Sequence, residues 1–414
     1  MSAPSSAHSA FHAHWKAPRW LLAVLIAGLS TLGPFSIDTY LPAFAGIAQD
    51  LQASPLQMQQ TLSAYLFGFA FMLLFHGALA DSFGRRPVIL GGLSVFTLAS
   101  IGCALAPDIH TLVLLRALQG MSAGAGIAVG RAIIRDLFAP TEAQRMMSQV
   151  TLFFGIAPAV APIIGGYLYV HLNWHSIFWF LVAVGALLFA IAWFALPETL
   201  PHGKRQPFRV GPLLHGYREV GLDRRFLLLA LASGIPFNAM FIYILSAPTF
   251  AGLHLRLEPT QFAWLFVTTI SGIMAGAWLS GRLAGRVTPG RQINIGFVVM
   301  AGACALNLLY NALFAAAAPW ALVPLWFIAF GWSLLMPSVT LLVLDEFPSR
   351  RGMASSLQGF VGSAFNGLVA GAVAPLAMAS TLGLAVGSAA MMAGGVVAWT
   401  ILHRRPRLQH EPLA

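Results

Sequence analysis

Twelve long apolar runs dominate this sequence, at about 20–48, 56–79, 87–106, 109–130, 146–170, 174–196, 226–250, 260–281, 292–314, 319–344, 352–376 and 380–402. A helix needs roughly 20 apolar residues to cross the hydrocarbon core of a bilayer, so each run has the length of one crossing. Hydrophobic residues make up 58% of the chain and charged residues only 9%. Soluble domains carry roughly a quarter charged residues, and a disordered chain needs low hydrophobicity and high charge. Both classes are excluded. The pattern predicts an all-α membrane protein with 12 transmembrane helices. The first run follows Lys16 and Arg19 but is too long for a secretory signal and lacks a clean small-residue cleavage site, so it reads as a retained span.

The net charge of +10 would suggest nucleic-acid binding if the bases clustered on one soluble face. They alternate instead. All but two of the 23 Lys and Arg residues fall before the first run, after the last, or in every second loop: Arg85 and Arg86, then Arg131, Arg135 and Arg145, then the stretch from Lys204 to Arg225, and again Arg282, Arg286, Arg291, Arg350 and Arg351. Only Arg256 lies in a loop on the other side. Short loops rich in Lys and Arg stay cytoplasmic, which puts both termini in the cytoplasm and makes the bases a topological address. Cys103 and Cys304 sit inside separate apolar runs and read as packing residues, with neither a disulfide framework nor a zinc site indicated.

The stretch 197–225 is the longest polar segment and holds Pro197, Pro201, Pro207 and Pro212. It divides the chain into a tail (1–19), a first six-helix bundle (20–196), a linker (197–225), a second bundle (226–402) and a tail (403–414). The halves repeat one another. Pro42-Ala-Phe-Ala-Gly46 returns as Pro248-Thr-Phe-Ala-Gly252, 206 positions on, and Gly77-Ala-Leu-Ala80 returns as Gly281-Arg-Leu-Ala284, 204 positions on. Six spans per copy give parallel repeats, an arrangement that transporters build around a site near the bilayer midplane. Gly120, Gly124, Gly126 and Gly130 in the fourth run, with Gly367 and Gly371 in the eleventh, supply the small faces on which membrane helices pack.

Asp38 and Arg116 are the two charges left inside the runs. A lone carboxylate there must take up a proton, find a cation or face a wet cavity, so Asp38 is a candidate proton carrier; the competing reading is an acid that stabilises a kink beside Pro42. Arg116 shares a helical face with Gln119, Gly120 and Ala123 and is set in the same leaflet as Asp38, within reach of it directly or through water. Its competing reading is snorkelling to the interface. Tyr40, Tyr65, Phe69, Phe153, Asn238, Phe241, Tyr243 and Asn366 are candidate substrate-cavity residues, with packing or lipid contact as the alternative for each aromatic. His8, His12 and His14 read as a solvated tail. No nucleophile–base constellation appears, so an enzyme has little support, and neither a metal nor a cofactor is indicated.

Gly77-Ala-Leu-Ala-Asp81-Ser-Phe-Gly84-Arg85-Arg86-Pro87 resembles the loop signature between spans two and three of the major facilitator superfamily. Leu112, Arg116, Gln119 and Gly120 match its fourth-span motif, and Gly155, Pro158, Pro162, Gly165 and Gly166 look like the fifth-span motif of its drug antiporters. Asp38-Thr-Tyr40-Leu-Pro42 and Leu196-Pro-Glu-Thr199 narrow the resemblance to the Bcr/CflA group of drug:proton antiporters. It implies two six-helix bundles working by alternating access, with Asp38 in proton coupling and drug binding and Arg116 tuning its protonation. Gly77, Asp81, Gly84, Arg85 and Arg86 would form a cytoplasmic latch. The chain departs from the pattern at Ala161, where the broader motif has Gly, and at Ser30, where some related exporters carry a second acid. The expected partners are a small drug, protons and the lipid bilayer, with no nucleic acid, in a monomer of the bacterial inner membrane driven by the proton gradient. A proton-coupled transporter of a natural metabolite is the alternative, and a non-transporting membrane sensor a more distant one.

Overall fold

The computed structural model of the chain describes residues 19–138, 140–348 and 350–403. Lys16, His8, His12, His14, Arg404, Arg405, Arg407 and Glu411 lie outside them, as do the side chains of Arg19, Arg145 and Phe153 and the surroundings of Gly155. Every regular element among the described residues is helical. Eleven segments are long and apolar enough to cross a membrane, and Pro140–His171 contributes a further helix whose Ile156–His171 section is apolar. The chain is therefore a multi-pass membrane protein. Its large exposed side chains, such as Phe194 at 87% and Leu376 at 82% exposure, are apolar because lipid, not water, surrounds the helices.

The first span is α1 (Arg19–Asp38) followed by α2 (Phe44–Asp50); α3 (Pro55–Phe83) and α4 (Arg85–Ala104) come next. The fourth span is α5 (Ile109–Ala123) and α6 (Ala125–Leu137), and α7 (Pro140–His171) and α8 (His175–Ala195) complete the first six. Polar residues set the starts. Ser54 and Gln57 form a reciprocal cap on α3 with Pro55 as its first residue, and Asp108 accepts the Thr111 N–H at 2.9 Å to cap α5. These contacts satisfy N–H groups that a helix start leaves without partners.

The predicted linker holds a helix of its own, α9 (Val210–Leu222). Leu213, Gly216, Tyr217 and Val220 form its inward face, the i, i+3, i+4, i+7 pattern of an amphipathic helix. Tyr217 donates to the Leu74 carbonyl at 2.8 Å, and burial pushes its phenol above its ordinary value. The proline content of 197–225 hid this helix, because Pro212 falls in its first turn, where proline is tolerated.

The last six spans begin with α10 (Arg224–Leu245) and a π-helical turn, Pro248–His254; α11 (Ala263–Leu283), α12 (Pro289–Leu313) and α13 (Val323–Glu346) follow. The eleventh is α14 (Arg351–Leu368), a π turn at Val369–Val373 and α15 (Ala374–Ala377), and α16 (Thr381–His403) is the twelfth. Helices pack mainly within each set of six: α1 on α7, α3 on α5 and α4 on α8 in one, α10 on α16 and α13 on both α11 and α12 in the other. Two seams join the sets, α3 against α14 and α7 against α11 with the preceding turn Pro259–Phe262.

The breaks repeat as the sequence does. α1 stops at Asp38 and resumes through a 3₁₀ turn, Leu41–Ala43; α10 stops at Leu245 and gives way to the π turn that Pro248 opens. Pro42 and Pro248 cause both, since proline cannot donate to the preceding turn and its ring clashes with it. The 206-residue offset sets Ile244 opposite Asp38, so only the first copy carries the acid.

Candidate functional site

Arg116 is the largest fully buried side chain of the described residues, at 0% exposure. Its guanidinium lies between two tyrosine rings, 4.7 Å from the centre of Tyr40 and 4.4 Å from that of Tyr65. Nη1 donates to Gln119 Oε1 at 2.5 Å and to the Ser36 carbonyl at 3.4 Å. The ring faces supply the negative field that a carboxylate would otherwise supply, an attraction worth about 2 kcal/mol or more in desolvated sites. Among the described residues, Nε and Nη2 have no hydrogen-bond partner.

Each group touching Arg116 is itself held. Gln119 donates to Ser100 at 2.7 Å. Tyr65 shares a 2.7 Å hydrogen bond with Ser36 and reaches the Gly33 carbonyl at 2.9 Å, while Tyr40 pairs with Thr61 at 2.9 Å. Ser36 and Tyr40 come from the end of α1 and its break, Thr61 and Tyr65 from α3, Ser100 from α4, and Arg116 and Gln119 from α5. Tyr40 and Tyr65, expected at the cavity surface, have 0% exposure and face Arg116. The competing reading, in which Arg116 snorkels to the interface, fails against its complete burial.

Asp38 is the last residue of α1 and 5% exposed. Among the described residues it has no salt bridge and its carboxylate has no hydrogen bond, and Arg116 has no carboxylate partner either. The two charges lie in one half of the molecule, and neither neutralises the other directly.

Two glycines of α7 settle why that helix can reach both Asp38 and the other half. A Cβ on Gly165 would press into the backbone of Thr39, 2.8 Å from its carbonyl carbon, and one on Gly166 would lie 2.7 Å from the Pro259 carbonyl oxygen. Gly165 thus packs against the break beside Asp38, and Gly166 against the second half. Pro158 and Pro162 lie inside the same helix. The seams close at the end opposite the basic loops: Gln59 donates to the Leu245 carbonyl at 3.0 Å and Ser63 to the Gly367 carbonyl at 2.8 Å.

In the second half, Asn238 of α10 donates to Asn366 Oδ1 of α14 at 3.0 Å and to the Gly234 carbonyl at 3.1 Å. Half-buried Phe241 lies tilted against Phe237 at 4.9 Å between ring centres, and Phe237 lies 4.8 Å from Trp332. Tyr243 is turned away from this group, accepting from Asn307 of α12 at 2.7 Å inside the second half. Phe69 is half-buried over Gly33, which would place a Cβ 3.1 Å from the ring.

At the basic end, Gly84 adopts φ 104°, a conformation open to glycine, and turns α3 into α4. Arg85 donates to Asp81 at 2.5 Å and to Asp136 at 3.1 Å. Glu198 accepts from the backbone N–H of Arg85 at 3.0 Å and of Leu200 at 2.9 Å and lies 3.6 Å from Arg205. Thr199 donates to Asp136 at 3.0 Å, and Arg86 to the Trp193 carbonyl at 2.7 Å. Gly77 faces open space. Asp136, Glu198 and Arg205 were not expected here: as acids and a base in polar loops they resembled solvated charges. The Leu196-Pro-Glu-Thr199 motif was the available signal.

Residues 20–371 match the family model described as Major Facilitator Superfamily. The chain is 30% identical over 351 residues to a bicyclomycin resistance protein homolog of Haemophilus influenzae, covering 84% of this chain and 88% of that protein. It is 29% identical over 399 residues to multidrug resistance protein D of Escherichia coli, covering 95% and 98%. Among solved structures, the peptide transporter POT in complex with sulfate superposes with a TM-score of 0.75 at 13% identity, covering 97% and 98% of the two chains. A bacterial homolog of the human lysosomal transporter Spinster, inward-facing and occupied, superposes with a TM-score of 0.70 at 16% identity, covering 93% and 97%. At these identities the structures establish likeness of fold.

Proposed function

The chain belongs to the major facilitator superfamily, and from that premise we propose that it exports small amphipathic drugs across the bacterial inner membrane in exchange for protons, its two six-helix halves alternating access to a central site. It is a secondary transporter, not an enzyme. The names of its relatives, bicyclomycin resistance and multidrug resistance, support a drug as cargo. The observation that carries the coupling is Asp38: a buried acid without a partner among the described residues, at the break of α1, beside the Gly165 contact of α7.

With the basic loops in the cytoplasm, the seal formed by Gln59, Ser63 and Gly166 lies at the periplasmic end. Asp38 takes a proton when its surroundings open outward and gives it up when they hydrate from the cytoplasm. A buried carboxylate without a cation or donor is costly as an anion, so protonation lets the α1 break pack against α7. Arg116 does not hold Asp38 as an ion-pair partner. Its positive field acts from inside the tyrosine clamp, favouring the ionised acid once water enters. Drug occupies the space beside Phe69, Phe237, Phe241 and Trp332, and proton and drug need only favour different states to be exchanged. The latch around Arg85 holds the first half's cytoplasmic loop together in this state. The transporter acts as a monomer, since both halves of the pathway come from one chain.

The test is a drug-susceptibility panel in an efflux-deficient host, with drug accumulation in inverted vesicles under an imposed pH gradient. Asp38→Asn should reach the membrane and lose gradient-driven accumulation. Full accumulation by that variant would sink the proposal, and accumulation of a metabolite but of no drug in the panel would reassign the cargo.

A further inference from the structure

We infer that the Asn238–Asn366 pair is a recognition edge for cargo bearing an N–H donor next to a carbonyl acceptor, as in a carboxamide, lactam or urea; the inference rests on the export reading only for what becomes of the bound molecule. The pair is built by its neighbours. Gly234 and Gly362 bring α10 and α14 together, a Cβ on Gly234 lying 3.1 Å from Gly362 Cα. One turn further along both helices, Asn238 meets Asn366.

The hydrogen bonds fix which way the first amide points. Asn238 Nδ2 faces two carbonyl oxygens, those of Gly234 and Asn366, and only an amino group can donate to both. Its Oδ1 is consequently turned away from both. That oxygen is buried and has no partner among the described residues, on a side chain with 0% exposure. The pair is open and not cyclic: Asn366 accepts through Oδ1 but its Nδ2 makes no hydrogen bond among the described residues. One acceptor and one donor are therefore left unused on the same pair of amides. A buried carbonyl without a donor costs free energy until something supplies one, and a planar group with both functions satisfies the two together.

Two further observations place this edge where cargo would act on the halves. Asn366 directly precedes Gly367, whose carbonyl receives Ser63 from the first half. Three residues after Asn366 the helix passes into the π turn Val369–Val373, an irregularity that occurs frequently at functional sites. The half-buried rings of Phe237 and Phe241 lie on the same helix as Asn238, giving an apolar body a surface beside the polar edge.

The probes are 2-naphthamide, its N,N-dimethyl derivative and tetraphenylphosphonium, measured for equilibrium binding to the purified protein in lipid nanodiscs. The wild-type protein should bind 2-naphthamide about tenfold more tightly than the dimethyl derivative, the scale of one to two neutral hydrogen bonds. Asn238→Leu should bring the ratio to about twofold or less, and Asn366→Ala should weaken both amides alike by about tenfold or less, while binding of tetraphenylphosphonium stays unchanged. Equal binding of the two amides by the wild-type protein overturns the inference without any variant, as does a preference that survives Asn238→Leu. Inverted vesicles separate this from the export reading: binding preference without gradient-driven accumulation of any probe refutes export and leaves the amide edge standing.

Discussion

Arg116 and Tyr65 are in face-on contact, the guanidinium carbon 4.4 Å from the ring centre, while the Tyr65 hydroxyl is engaged with Ser36 and the Gly33 carbonyl. The ring and the hydroxyl therefore have separable roles. Tyr65→Phe keeps the ring and should cost about 1 kcal/mol, a typical buried hydrogen bond. Tyr65→Leu removes the face that compensates the buried charge and should cost about 3 kcal/mol, adding the cation–π loss. Thermal unfolding in detergent separates them, and equal losses would show that the ring does not stabilise Arg116.

Arg116→Lys should behave as a disruptive change. A lysine ammonium is a compact point charge, with no planar face to lie flat between the two rings of Tyr40 and Tyr65 as the guanidinium does. The variant should lower gradient-driven transport by at least about tenfold, a loss of roughly 1.4 kcal/mol in coupling, and should be less stable than Arg116→Met, which removes the buried charge and keeps much of the volume. A lysine variant with wild-type transport would mean that charge alone suffices at this position.

The contrast between the two kinds of group in this site explains what the sequence could reveal. Asp38 and Arg116 stood out because a charge inside an apolar run is rare at any rotation of the helix. The facing of Tyr40 and Tyr65 was not legible, since an aromatic in a membrane helix is equally at home against lipid, cavity or core, and only the crossing of α1, α3 and α5 turns these two onto Arg116. Gly165 and Gly166 were legible as a motif, but their separate contacts, one to the α1 break and one to the second half, depend on where α7 lies. Asp136 and Glu198 were hidden for the opposite reason. Their partners are distant in sequence, and a loop acid looks solvated until the chain folds it back onto Arg85.

The latch predicts an order among its acids. Arg85 is 7% exposed, with one carboxylate at each side of its guanidinium. The Asp81 side chain is 50% exposed and that of Asp136 24%, so solvent screens the first pair more, whatever its shorter distance. Asp136 also accepts from Thr199 and so ties the linker to α6. Asp136→Asn should therefore destabilise by about 1–2 kcal/mol, and Asp81→Asn by less than about 1 kcal/mol. Unfolding midpoints of the two variants and of the Arg85→Gln double mutants give the coupling energies; a larger loss from Asp81→Asn would reverse the assignment.

The glycines divide into those this state uses and those it does not. An added methyl at Gly165 or Gly166 meets backbone that cannot move aside as a side chain can, and overpacking of this kind costs about 1–3 kcal/mol. Gly165→Ala pushes α7 off the α1 break inside the first half, so it should lower stability and transport together. Gly166→Ala acts across the seam with Pro259 and weakens one closed state relative to the other. Its signature is a changed labelling rate of single cysteines placed at the two ends of the pathway, with a smaller loss of global stability. Gly77 is the control, since a methyl there meets nothing within 4 Å, and a helical Gly→Ala exchange is expected to stabilise by about 0.5–1 kcal/mol. If the latch closes on Gly77 only in the alternate state, Gly77→Ala will be at least as stable as the wild-type protein in unfolding assays and slower in transport. Unchanged turnover in that variant would remove Gly77 from the latch.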